Sequence, residues 1–355
     1  MENYKNQLEE LLELAIEQKA SDLHLSFDHE PTLRVDGNLI PIAGSRRLSS
    51  RDTQELARIL MEDGLGQRLQ QEKEIDFSYN FKDKSRFRVN IFFQRGEVSI
   101  ALRLVSKTIK TIEELNLPPI LHEFTRASQG FVVIAGPSSQ GKSTTLAALI
   151  DEINHTRADH IVTIEDPIEY LFKNDKSIID QREVYQDTLS FARALKSTFR
   201  QDPNVIMVGE MRDPETMATT ITAAETGHLV FATLHTNSAS QTIHRIVDSF
   251  PAGQQAQIRS QLSGSLLGVI SQRLVPKIEG GLVPVCEVMI ANTAVANLIR
   301  ENKIHELPLA IETAGDLGMI SLNRALANLV KNKTVSLEAA LGFSTNPTEL
   351  KMLIK

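Results

Sequence analysis

The sequence predicts an α/β protein: a small α+β domain, then a parallel-sheet nucleotide domain, then a helical C-terminal tail. Three observations predict it. The apolar, β-branched run Phe131–Ala135 leads into Gly136-Pro137-Ser138-Ser139-Gln140-Gly141-Lys142-Ser143 and on into Thr144–Ile150, so a buried strand, a GxxxxGK[ST] loop and a helix follow one another. Three further buried-strand patterns, Ile161–Ile164, Val205–Glu210 and Gly227–His235, alternate with helical stretches and end in polar groups, as in a parallel sheet with one functional edge. The first 105 residues instead carry short strands of period two joined by hairpin signals.

Composition sets the outer bounds. A chain of 355 residues with 41% apolar content is globular and long enough for two or three domains. Its formal net charge of −7 argues against a general polyanion binder, so no nucleic-acid partner is expected. The single cysteine, Cys286, excludes a disulfide or a cysteine-based zinc site within the chain. No stretch approaches about 18 uncharged apolar residues, and the N-terminus lacks the layout of a secretion signal. A cytoplasmic setting is the expectation.

Within the first domain, residues 4–18 gather Leu8, Leu11, Leu12, Leu14 and Ala15 on one side of an acidic helix. Leu23, Leu25 and Phe27 alternate with polar residues as in a half-buried strand, and Asp36-Gly37 turns a hairpin across Leu33–Ile40. Helices are expected at 51–62 and 66–73. Strands follow at Ile75–Phe81, Arg86–Gln94 and Val98–Val105, with Asp83-Lys84 and Arg95-Gly96 turning the chain between them. Arg86, Arg88, Arg95 and Arg103 lie on or beside two adjacent strands, and Arg86 and Arg88 share a strand face. Such cations suit a phosphate or a carboxylate, but a solvated sheet face is the simpler reading of the pattern alone. Asp22 and His24 read as a surface pair, with no further metal ligands nearby. Ser106–Glu113 is a polar linker, closed by Leu117-Pro118-Pro119.

In the nucleotide domain, Gly136 and Gly141 let the loop turn tightly and aim its N–H groups at phosphate oxygens, beside the positive end of a helix dipole. The nucleotide-binding set is Gly136, Pro137, Ser138, Ser139, Gln140, Gly141, Lys142, Ser143 and Thr144. Lys142 suits the β- and γ-phosphates of ATP, and the Ser143 hydroxyl suits a Mg²⁺ shell. Glu165, followed by Asp166-Pro167, and Glu210, followed by Met211-Arg212-Asp213, end buried strands where a carboxylate holds a metal-bound water or the attacking one. His235 ends a further strand at the same edge, as a γ-phosphate sensor or simply as a hydrogen-bonding residue. Helices are expected at Thr188–Arg200, Asp213–Thr226, Ser240–Ser249 and Gly253–Gln272. A hairpin of Arg273–Pro276 and Leu282–Met289 then precedes helices at Thr293–Arg300, Ile304–Thr313, Ser321–Lys331 and Leu337–Leu341.

Four ordered boxes, GPSSQGKSTT, TIEDPIEY, VIMVGEMRDPET and ETGHLVFATLHTNSA, resemble the Walker A, Asp box, Walker B and His box of the type II secretion and type IV pilus ATPases. SDLHL, RVDGNL and RFRVNIF extend the resemblance through the first third. It is nearest to the pilus-retraction ATPases of the PilT/PilU type. The resemblance implies a PAS-like domain over 1–105, a linker over 106–117, a RecA-like ATPase domain over 118–290 and a helical subdomain over 291–355. It further implies a homohexamer that hydrolyses ATP with Mg²⁺ to power pilus retraction and twitching motility, at an inner-membrane pilus platform protein and beside paralogous pilus ATPases. An accessory, PilU-like or regulatory ATP-binding subunit with low turnover is the alternative. The catalytic residues it implies are Glu165, Glu210 and His235, with Arg88, Arg103 and, third, Arg86 reaching phosphate from the N-terminal domain. The chain departs from the family where Ala296 replaces the first arginine of AIRNLIRE and where Ser139 stands in place of a frequent glycine.

Overall fold

The computed structural model describes residues 2–35, 37–61, 64–82, 85–105 and 108–355. The expected turn residues Asp36, Asp83 and Lys84, the helix end Glu62 and the linker start Ser106 lie outside them. The chain forms two compact units: one of Met1–Thr108 with Asp166–Leu171, the other of Ile109–Glu165 with Phe172–Lys355.

The first unit runs α1 (Glu2–Glu17), β1 (Asp22–Leu25), β2 (Thr32–Val35), β3 (Asn38–Pro41), α2 (Ser50–Leu60), α3 (Leu65–Glu72), β4 (Glu74–Phe81), β5 (Ser85–Gln94) and β6 (Glu97–Val105). Its six strands form a sheet in the order β3-β2-β1-β6-β5-β4, with every pairing antiparallel. The alternation seen in sequence explains the core. Leu23, Leu25, Phe77, Phe87, Val89, Ile91, Ile100 and Leu102 pack with Leu8, Leu12, Leu56 and Leu60 of the helices. A reciprocal capping box, Ser49 with Asp52, starts α2. The opposite face of β5 and β6 carries the arginines.

The second unit begins with α4 (Leu121–Arg126), β7 (Gly130–Ala135), α5 (Lys142–Thr156), β8 (His160–Glu165) and β9 (Ile178–Glu183). It continues through α6 (Phe191–Thr198), β10 (Val205–Val208), α7 (Pro214–Glu225), β11 (Leu229–Leu234), α8 (Ala239–Asp248), α9 (Ala252–Ser265), β12 (Leu266–Pro276) and β13 (Leu282–Ile290). The chain ends in α10 (Thr293–Arg300), α11 (Leu307–Thr313), α12 (Leu322–Lys331), α13 (Leu337–Phe343) and α14 (Pro347–Ile354). The seven strands lie in the order β13-β12-β7-β11-β10-β8-β9. All pairings are parallel except β12–β13.

The central strands β7, β10 and β11 are buried at every position, which is why they read as apolar runs broken only by Thr233. The expected helix 253–272 is corrected: it stops at Ser265, and Leu266–Gln272 is the first part of β12, which lies parallel to β7. Helices α4 and α14 and strand β9 were not anticipated. Ile112 and Leu117, expected near the linker, are buried in the core of this unit. The last helices share a smaller core with the outer hairpin, in which Leu326, Val335, Ala340 and Leu350 pack on Val275, Val283 and Val285. Among the described residues, no helix is long and apolar enough to cross a membrane.

Candidate active site

The strand order decides which side chains meet. Along the carboxyl edge the sequence of strands is β7, β11, β10, β8, so the phosphate loop, His235, Glu210 and Glu165 stand in that order. Backbone bonds carry the pairing past the strand ends. Gly136 N donates to the Leu234 carbonyl (3.2 Å), Met211 N to Thr233 (3.1 Å) and Gly209 N to Ile164 (2.8 Å). The Thr233 hydroxyl donates to the Gly209 carbonyl. β10 runs into Gly209-Glu210 where such a strand more usually ends in a pair of acids, and the packing gives a reason for the glycine. A Cβ at this position would lie 3.1 Å from the Ile164 carbonyl oxygen, tighter than ordinary van der Waals contact.

Local chemistry then turns the chain back into helices. Asp213 caps α7 by accepting from Thr216 N, and Pro214 occupies the first turn, where its missing N–H costs nothing. Ser238 caps α8 in the same way, three residues after His235.

The phosphate loop is shaped by positive φ at Gly136 (153°), Ser139 (61°) and Gly141 (78°). β12 backs it closely. Gln272 is buried; its Nε2 donates to the Gln140 carbonyl (2.7 Å) and its Oε1 accepts from Thr145 Oγ1 (2.7 Å). Leu274 N donates to Gln140 Oε1 (2.8 Å), so both faces of Gln140 are held. Lys142, only 8% exposed, donates to the Gly136 and Pro137 carbonyls at 2.7 and 2.8 Å and lies 3.5 Å from His235 Nδ1. Ser138 Oγ is 3.4 Å from the same nitrogen.

Glu210 is held from two sides. Arg212 Nε donates to Oε2 at 2.8 Å, and His235 Nε2 lies 3.3 Å from Oε1. Burial, then the neighbouring Lys142 charge, push the His235 pKa below its ordinary value, so the ring is neutral near pH 7; Glu210 acts in the opposite sense. Glu165 is buried one strand further on, where Oε1 accepts from Thr163 Oγ1 (2.7 Å) and Gln181 Nε2 (3.2 Å). Arg212, Gln181 and Gln272 escaped the sequence reading. Arg212 lies within the quoted GEMRD run, whereas the two glutamines become legible only once the sheet order is known.

The arginines belong to the first unit. Arg88 faces Arg103 across β5 and β6. Arg103 Nε donates to Asp22 Oδ1 at 2.9 Å, and its side chain is exposed. Arg88 lies 3.6 Å from Asp76 Oδ1 and 3.8 Å from Glu169 Oε1, both partly exposed pairs of small energetic weight. Arg86 differs: it is buried, and its Nε donates to the Ile168 carbonyl at 3.1 Å. Elsewhere, burial pushes the Cys286 thiol up to about 12, which leaves it chemically quiet.

The pattern of the type II/IV secretion system protein family matches residues 2–330. A Pseudomonas aeruginosa protein named type IV pilus retractation ATPase PilT is 45% identical over 331 residues, covering 93% of this chain and 96% of its own. The type IV pilus ATPase PilU of the same organism is 38% identical over 350 residues, covering 98% and 91%. A crystal structure of the pilus retraction motor PilT with bound ADP superposes with a TM-score of 0.89 at 47% identity, covering 97% of this chain and 98% of that one. An ordered phosphate loop, two strand-end glutamates and a histidine on one sheet edge, in a chain related over nearly its whole length to such proteins, make it a member of the type II/IV secretion system protein family.

Proposed function

We propose that this chain is an ATP-hydrolysing motor subunit that powers type IV pilus retraction. The order of phosphate loop, His235, Glu210 and Glu165 along one sheet edge carries the reading, because it gathers phosphate binding and water activation in a single place. The N-terminal unit is PAS-like and the second RecA-like in this reading, and six copies form a ring in the cytoplasm on an inner-membrane pilus platform protein. Paralogous pilus ATPases are further partners.

The loop N–H groups and Lys142 hold the β- and γ-phosphates, drawing Lys142 from the loop carbonyls it now meets. One hydroxyl, Ser143, with Glu165 and Glu210 reached through water, is a donor set that fits Mg²⁺, an ion that keeps several waters. When bound, the metal neutralises phosphate oxygens. Glu210 orients the attacking water and accepts its proton, while Glu165 orders water beside it. His235 keeps the Glu210 carboxylate aimed. Arg88 and Arg103 supply positive charge for the γ-phosphoryl group. Arg86 is set apart from them, since its guanidinium is engaged by the Ile168 carbonyl, Asn80 and Ser78.

Glu210→Gln tests the assignment: ATP binding stays, and turnover falls by about a hundredfold or more. Equal loss of binding and turnover would sink the role. In cells, deleting the gene should leave excess pili that fail to retract; absent pili would point to assembly. The second reading, an accessory PilU-like subunit, draws on Ala296, which removes an arginine from the motif on α10. Strong ATPase activity of the purified protein alone would exclude the low-turnover form of that reading.

A further inference from the structure

The segment Asp166–Leu171 folds with the N-terminal unit, although it directly follows β8 of the other unit. Arg86 receives it. The Arg86 side chain projects from β5, with 9% of the residue exposed. Its Nε donates to the Ile168 carbonyl (3.1 Å), one terminal nitrogen donates to Asn80 Oδ1 (2.8 Å) and the other to Ser78 Oγ. Asn80 stands directly opposite Arg86 on β4, and Ser78 opposite Arg88, so the fork is aimed by the sheet register itself. At the near end of the segment stands Glu165, one peptide before Asp166, with its carboxylate held by Thr163 and Gln181.

We propose that Arg86 is a positioning residue: it anchors the 166–171 segment in the N-terminal unit, so that displacement of that unit is passed to Glu165. This deepens the motor reading and rests on Glu165 serving the site. The physical case is one of slack. Consecutive Cα atoms are about 3.8 Å apart across a trans peptide, and only Asp166 and Pro167 lie between Glu165 and the held Ile168, so the link absorbs little motion. A planar, buried fork with three directed donors fixes a backbone carbonyl better than a flexible ammonium does. The same three bonds oppose a direct phosphate contact. To reach a phosphate, Arg86 would have to give up its buried bond to the Ile168 carbonyl and both of its β4 acceptors.

The test uses the full-length protein with Arg86→Ala and Arg86→Lys. It measures kcat, KM, affinity for a non-hydrolysable ATP analogue, and hydrogen–deuterium exchange. In Arg86→Ala, kcat should fall by about tenfold or more while KM and analogue affinity stay within about twofold. Exchange should rise in 166–171 and not in α5. Arg86→Lys should recover part of kcat. Asn80→Leu, which removes one acceptor and keeps the bulk, should give a weaker version of the same split if Arg86→Ala does not fold. Weaker analogue binding matching the loss of kcat would make Arg86 a phosphate contact and overturn the proposal. So would unchanged kcat, or unchanged exchange in 166–171. If the unaltered protein hydrolyses no ATP, the motor reading fails, and the exchange data still decide the anchor separately.

Discussion

His235 stands between Glu210 and Lys142, with Nε2 3.3 Å from Glu210 Oε1 and Nδ1 3.5 Å from Lys142 Nζ. An ammonium can only donate, so Nδ1 is the acceptor and the ring proton sits on Nε2, directed at the carboxylate. A second proton would have to settle on Nδ1, facing Lys142. Burial and that lysine hold the pKa below 6.5, so the neutral ring persists as pH falls through 6.5 and is lost only lower. The acid limb of kcat/KM assigned to His235 therefore lies below pH 6.5. His235→Ala should lower kcat by about tenfold to a hundredfold and remove that limb. A kcat/KM profile from pH 5 to 8.5 for both proteins checks it, and a limb centred above 7 in the unaltered protein would contradict the lowered pKa.

A second histidine behaves in the opposite sense. His122 on α4 has Nε2 2.8 Å from Glu113 and Nδ1 2.9 Å from Glu152 on α5, and these carboxylates, Glu152 foremost, raise its pKa. The folded state thus holds its proton more tightly than the unfolded chain. Its stabilisation is complete below 6.5 and disappears as pH rises through the raised value. His122→Ala should cost about 1 kcal/mol at pH 6 and less at pH 8.5. Thermal unfolding at the two pH values measures this. An equal loss at both would mean that packing, and not charge, supplies the contribution.

These sites show what kind of information a sequence carries. β7, β10 and β11 are legible because burial on both faces leaves Thr233 as the one polar side chain in them, and Glu165, Glu210 and His235 are legible because each stands at the end of a buried strand, β8, β10 and β11 in turn. β12 fails for a related reason. Leu266-Leu267-Gly268-Val269-Ile270 follows α9 without a loop, and a short apolar run does not declare its period. Gly268 was the available clue. A Cβ there would lie 2.6 Å from Phe124 Cζ and 2.7 Å from the Met289 carbonyl, the close approach that an isolated glycine in a strand often marks. β9 is an edge strand paired with β8, so its Asp180-Gln181-Arg182 can be polar and carries no apolar signature. The Arg86 contact joins residues 82 positions apart, and no local pattern encodes the partner.

Ser139 adopts φ 61°, a left-handed conformation that costs a non-glycine residue about 1 kcal/mol. Glycine would release that strain but adds freedom to the unfolded chain worth about 0.5–1 kcal/mol, so the two terms nearly cancel. Ser139→Gly should therefore change stability by less than about 0.5 kcal/mol while loosening the loop, read as faster nucleotide exchange. Ser139→Val meets the left-handed region with a branched Cβ and should lose about 1–2 kcal/mol. Denaturant unfolding separates the pair. A valine variant as stable as the parent would show that the loop takes another conformation in solution.

Gln272 holds the phosphate loop from behind through bonds to the Gln140 carbonyl and Thr145 hydroxyl, both 2.7 Å, at a site 2% exposed. Thr145 is itself buried, so its hydroxyl would be left without an acceptor, and an unsatisfied buried polar group costs about 1–3 kcal/mol. Gln272→Leu keeps the volume and removes both bonds, so a loss of about 2–4 kcal/mol is expected. The defect should not stop at stability. Gln140 forms the turn that aims loop N–H groups, and Thr145 lies in the first turn of α5, so freeing both blurs the geometry of the phosphate cradle. Affinity for ATP should fall with stability, in contrast to Glu210→Gln, where binding is kept. Isothermal titration with an ATP analogue, at a temperature where the variant remains folded, decides it. Unaltered affinity would make Gln272 a core hydrogen bond with no part in shaping the loop.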